Sequence, residues 1–165
     1  MTFPNPRIDA LKANDFVFGA KSLRNQHTAH PILAMNFSIA LFFTPVDFSI
    51  YETDRTLERQ KQLLADKRTQ TLDSMHIPGE DGFARAGDLV PWVDGENVWQ
   101  LGLCYEICKA MVVATTLTKT QVKFGGCWEI LTPDFNPRAR VEAYIARRKA
   151  QKKKPFVDAV HYELA

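Results

Sequence analysis

Short chemical signatures are what this chain lacks. Its eight glycines form no GxxxxGK phosphate loop, and no GxSxG elbow, HExxH helix or CxxC pair occurs; the usual marks of P-loop NTPases, α/β-hydrolases, zincins and thiol redox proteins are therefore missing. Cysteine is scarce: Cys104, Cys108 and Cys127 are odd in number and not spaced as paired zinc ligands, which argues against a dense disulfide framework. Charge of one sign is lacking too, since 21 basic and 19 acidic residues leave a net +2, too mild to imply a polyanion partner. No charged n-region, apolar h-region and small-residue cleavage site open the chain, so any import signal is expected to be internal or removed. The four histidines, His27, His30, His76 and His161, are scattered. His27 and His30 read as polar residues flanking an apolar run, and the apolar surroundings of Cys104 would raise its thiol pKa. No catalytic, cofactor-binding or metal-ligating residue is assigned on this basis, and no cofactor is expected.

What is present in quantity is one uncharged stretch. From Asn25 through Val46 there is no Lys, Arg, Asp or Glu, enough at about 1.5 Å per residue to cross about 30 Å of hydrocarbon. A membrane helix over His30 to Tyr51 is the expectation, with a buried helix of a globular protein as the competing reading. Arg7, Lys12, Lys21 and Arg24 lie before it and Asp47, Glu52 and Asp54 after it, which places the N-terminus on the matrix or cytoplasmic side. Mean hydropathy of -0.23 over 165 residues suits either one globular domain or a single-span protein with polar flanks.

After the span, Thr53 to Met75 has neither Gly nor Pro and reads as a charged helix capped by Thr53 or Asp54, with Leu57, Leu64, Leu72 and Met75 as a thin apolar seam. It breaks at His76 to Gly82, where Pro78, Gly79 and Gly82 supply turns. A loop follows in which Trp92 and Trp99 bracket Asp94, Gly95 and Glu96; paired aromatics of this kind read as a protein contact.

These pieces together resemble cytochrome c oxidase subunit 4. The matching residues are Ala34 and Met35 in the span, Lys67 and Thr69, then Leu72, Asp73 and Met75, then Pro78, then Gly82, Phe83 and Ala84, and finally Trp92, Asp94, Glu96, Asn97 and Trp99. The resemblance implies a non-catalytic accessory subunit of the respiratory chain that stabilises and assembles the membrane complex. It implies the mitochondrial inner membrane, the N-terminus in the matrix, the C-terminus in the intermembrane space, and other complex subunits as partners. Leu57, Leu64, Leu72, Trp92 and Trp99 are then the expected partner-contact residues.

Beyond Trp99, Gln100 to Lys119 reads as an amphipathic packing helix that takes Cys104 and Cys108 as small core residues, a bridge to Cys127 staying open. Asn136 and Pro137 mark the start of a basic helix. Arg147, Arg148, Lys149, Lys152, Lys153 and Lys154 form a patch for anionic lipid such as cardiolipin or an acidic partner, with nucleic acid disfavoured for want of stacking aromatics. The fold class expected is thus mostly α: an N-terminal arm (1–29), a transmembrane helix (30–51), a charged helix with a Trp loop (52–99) and a helical C-terminal extension (100–165). The chain is expected not to be an enzyme by itself. The alternative function is a globular interaction protein, such as a virion component, whose basic helix contacts nucleic acid.

Overall fold

The computed structural model describes residues 14–165; the basic residues Arg7 and Lys12 of the expected arm lie outside them. Among the described residues, five helices and six strands are interspersed. In order they are α1 (Ala20–Thr28), α2 (Pro31–Phe43), β1 (Phe48–Glu52), α3 (Leu57–Ala65), β2 (Ala86–Val93), β3 (Glu96–Asn97), α4 (Leu101–Thr118), β4 (Val122–Phe124), β5 (Glu129–Ile130), α5 (Pro137–Ala150) and β6 (His161–Leu164). The strands form one sheet of order β1-β2-β6-β4-β5, with β3 paired to β2 and every strand pairing antiparallel. The last strand, β6, sits in the middle of the sheet between β2 and β4. The C-terminal strand thereby becomes a neighbour of two mid-chain strands.

This mixed α/β architecture corrects the expectation of a mostly helical single-span protein. The stretch His30 to Tyr51 divides: α2 has 13 residues, about 20 Å of helix and short of a bilayer, and the chain then turns and enters β1. Leu33, Phe37, Ala40 and Leu41 of α2 are buried in the core. The polar residues that dilute the run are satisfied within the chain. Asn36 donates to Ile32 O and accepts from Thr118 Oγ1 (both 2.8 Å), and Thr44 Oγ1 donates to Val46 O. One described helix, α4, is long and apolar enough to cross a membrane by length and composition, yet 56% of it is buried inside the fold. It is the core helix, apolar on nearly every side because α2, α5 and the sheet surround it. Cys104, Cys108 and Cys127 are buried free thiols.

The expected long charged helix over 53–75 is also shorter. Thr56 caps α3 by accepting from Arg59 N, and the helix stops after Ala65, where Lys67 takes a left-handed conformation (φ 57°). Lys67 N donates to Leu64 O and Arg68 N to Leu63 O, the paired bonds of a Schellman ending. The same motif closes α5 at Lys152 (φ 55°), with Lys153 N donating to Arg148 O. The expected Trp loop is a β-hairpin: Asp94 (φ 51°) and Gly95 (φ 87°) form the two-residue turn with positive φ at both positions that matches strand twist.

Candidate metal centre

The cleft face of the sheet carries Asp88 on β2 and His161 on β6, paired directly across the ladder. His76 arrives from the loop before β2. That loop is pinned on several sides: His76 N donates to Ser74 Oγ at 3.3 Å, Arg55 N donates to His76 O, and Arg85 N to Met75 O. His76 is 2% exposed and His161 7%.

Three atoms converge here. His76 Nε2 lies 3.2 Å from His161 Nδ1 and 3.2 Å from Asp88 Oδ1, and His161 Nδ1 lies 3.3 Å from the same Asp88 oxygen. Outer partners decide which ring nitrogens carry protons. His76 Nδ1 donates to the backbone carbonyl of Thr53 at 2.7 Å, and His161 Nε2 donates to Glu163 Oε2 at 3.0 Å. In the neutral tautomers so fixed, both remaining nitrogens and the Asp88 oxygen present lone pairs to one another and no donor stands among them. Such a triangle calls for a cation. Its edges also match about 3.3 Å, the ligand-to-ligand spacing of a tetrahedral ion with bonds of about 2.0–2.1 Å to nitrogen and oxygen. Two imidazoles and one carboxylate, with a fourth side open to the cleft and outer-sphere partners on both rings, are a donor set suited to zinc.

Electrostatics favour the same conclusion. Burial disfavours an imidazolium at His161, yet Asp88, Glu163 and the nearby Asp158 overrule it and push the pKa to about 10: the pocket seeks positive charge. Burial likewise works against the Asp88 carboxylate, but the two imidazoles hold its pKa well below the usual carboxylate range. Glu163, against burial, is lowered to about 2 by His161 and by Lys123, whose Nζ donates to it at 2.7 Å. Asp158 behaves oppositely. Burial first and the Asp88 charge second raise its pKa, and it lines the same cleft.

That cleft is about 780 Å³. Arg55 projects into it with 10% of its side chain exposed, held by an ion pair to Glu52 and lying 3.9 Å from Asp88 Oδ2. Gln60, fully buried, accepts from Arg55 Nη1 at 2.8 Å; Arg55 Nε is buried without a hydrogen-bond partner. Trp128, its ring centroid 5.5 Å from that of His161, stacks on Phe156 and donates to Phe156 O.

The residues singled out in the sequence lie mostly elsewhere. Of the five expected contact residues only Trp99 lines the cleft, 61% exposed and edge-on to Tyr51. Leu57, Leu72 and Trp92 are exposed at separate places and Leu64 is half-buried. Arg147, Arg148 and Lys149 occupy the last turn of α5, followed by exposed Lys152, Lys153 and Lys154. Arg147 lies 3.8 Å from Glu129 and Arg148 donates to Lys154 O. The sequence reading missed His76, Asp88, Asp158 and His161. The available signals were local: a serine two residues before His76 at a proline turn, and an acid three residues before His161.

A family model described as phage L-alanyl-D-glutamate peptidase matches residues 14–165. Among solved structures, that of the Serratia marcescens L-Ala D-Glu endopeptidase ChiX is similar, with a TM-score of 0.68 and 24% identity over 92% of each chain; at that identity the likeness speaks for the fold. No curated protein matches. The family match overturns the resemblance to cytochrome c oxidase subunit 4. With it go the respiratory subunits and cardiolipin as partners, the placement in the mitochondrial inner membrane, and the expectation of a chain that is no enzyme; the virion-component alternative has no support either. The chain belongs to the phage L-alanyl-D-glutamate peptidase family.

Proposed function

We propose that this protein is a metal-dependent peptidase that hydrolyses the amide bond between L-alanine and D-glutamate in peptidoglycan stem peptides. The observation that carries the reading is the convergence of His76 Nε2, His161 Nδ1 and Asp88 Oδ1, with the other nitrogen of each imidazole bonded to an acceptor outside the triangle. The family match supplies the bond.

His76, Asp88 and His161 would hold the ion, which when bound supplies Lewis-acid polarisation of the scissile carbonyl and activation of water. The chain's own residues do the rest. Asp158, kept basic enough by burial and the Asp88 charge, takes the proton from the attacking water and returns it to the departing glutamyl nitrogen. Arg55 holds a fixed positive charge beside the triad, which favours the negative charge that develops on the carbonyl oxygen. Glu163 keeps the His161 ring turned so that Nδ1 faces the site.

The test is a metal-replacement assay on the purified chain with an L-Ala–D-Glu peptide, product release being followed by mass spectrometry. Activity should vanish on dialysis against a chelator and return with about one equivalent of Zn²⁺, and His161→Ala should bind no metal. Full turnover by chelated protein, or no cleavage by metal-loaded protein, would sink the proposal.

A further inference from the structure

One wall of the cleft bears cations that the catalytic reading does not use. Arg59 and Leu63, one helical turn apart on α3, both line it, and Arg68 joins them from the turn that follows. Arg55 has Glu52 as its partner, but among the described residues neither Arg59 nor Arg68 has an ion pair or a side-chain hydrogen bond. Both are exposed to the cleft. The wall that carries them is nonetheless built. The Schellman ending of α3 folds Arg68 back over Leu63. Gln60, beside Arg59 in the helix and fully buried, donates through Nε2 to Thr71 O at 2.6 Å and to Thr69 Oγ1 at 3.3 Å. Two guanidinium groups are thus displayed on a braced surface beside a peptidase centre, with no anion of their own.

The substrate chemistry supplies one. A glutamate acylated on its nitrogen by alanine retains two carboxyl groups; the peptide continues through at most one, so the other is a free carboxylate a few bonds from the scissile amide. Planar guanidinium forks suit carboxylates in geometry as well as charge. Resting on the peptidase reading, we infer that Arg59 and Arg68 are specificity-determining residues that bind the free carboxylate of the glutamyl residue. They would place the leaving half of the substrate along α3 and the alanyl half toward Trp128 and Phe156. A cleft of about 780 Å³ has room for peptide on both sides of the bond.

Two peptides that differ only at that group, one with the free carboxylate and one with it converted to the primary amide, provide the test. Both are offered to the metal-loaded wild type and to Arg59→Gln, Arg68→Gln and Arg68→Lys. The wild type should prefer the acid by about tenfold or more in kcat/KM, the scale of one charge-assisted contact. Each glutamine variant should shrink that preference by about tenfold through KM for the acid, with kcat held, and Arg68→Lys should restore part of it. Equal hydrolysis of both peptides by the wild type would overturn the assignment, as would variants that lower both peptides in parallel, the mark of a merely structural arginine. Cleavage of neither peptide by metal-loaded wild type would instead remove the peptidase reading beneath it.

Discussion

Gln60 offers the most direct test of whether the cleft wall and Arg55 are one mechanical unit. Its side chain is fully buried and makes three hydrogen bonds: it accepts from Arg55 Nη1 at 2.8 Å, and donates to Thr71 O at 2.6 Å and Thr69 Oγ1 at 3.3 Å. The bond to a charged partner is worth about 1.5–3 kcal/mol and each neutral one about 1 kcal/mol. Gln60→Ala removes all three and leaves a cavity, so a loss of about 4 kcal/mol is expected. For a chain of this length about 2–4 °C is lost per kcal/mol, which gives a fall in Tm of roughly 10 °C. Gln60→Met fills the space without the polar atoms and separates the two contributions; it should recover the cavity part alone. Activity should follow orientation rather than stability. Arg55 keeps Glu52 but loses its second anchor, so kcat should drop on the order of tenfold in both variants well below their melting points. Thermal unfolding and steady-state kinetics on the metal-loaded protein read both effects. A Tm shift under about 3 °C with unaltered kcat would refute the idea that Gln60 ties Arg55 to the 69–71 wall.

Packing and burial set further outcomes. A Cβ on Gly125 would lie 2.6 Å from Asp158 O and 2.8 Å from His161 Cβ, so Gly125→Ala should cost about 1–3 kcal/mol and weaken metal binding by titration. Gly102→Ala on α4, with nothing within 4 Å, should stabilise by about 0.5–1 kcal/mol; equal behaviour of the two would contradict the close approach. Burial pushes the Cys104 and Cys127 thiols up to about 11 from 9.0, so the native protein should resist iodoacetamide at pH 8 while the unfolded chain reacts. Because the unfolded thiols lose protons first, stability should begin to fall as pH rises through about 9 and keep falling toward about 11; a flat denaturation midpoint over that window would argue against buried thiols.

Local signals in the sequence were readable where a single turn decides the geometry. Asn136 caps α5 by accepting from Ala139 N, with Pro137 in the first turn, whereas the helix expected to run up to the Pro78 and Gly79 turn already ends at Ala65. Strands were harder. β3 and β5 have two residues each, β4 three and β6 four, too few for alternation to show, and β6 is held between β2 and β4, both distant from it in sequence. The site shared that difficulty. His76 and His161 are 85 residues apart, and only the insertion of β6 beside β2 brings them together, so nothing in either neighbourhood announces a three-donor site.

The misreading of the apolar run has a physical reason that reaches beyond α2. Hydropathy counts apolar residues without asking what lies against them, and a helix apolar all round is at home either in lipid or at the centre of a protein. The polar residues decide between the two. In lipid, Asn36, Ser38 and Thr44 would need partners from other membrane helices. Here Asn36 bonds to Thr118 on the core helix α4, and Gln26 of α1 donates to Ser38 Oγ at 2.6 Å. Thr44 bonds locally to Val46. Asn36 and Ser38 are therefore points where α2 is keyed to its surroundings. The same packing puts Phe37 against Gly87, where a Cβ would lie 2.7 Å from the ring, one residue before Asp88. The stretch that most resembled a membrane anchor is thus the support that seats the strand bearing Asp88.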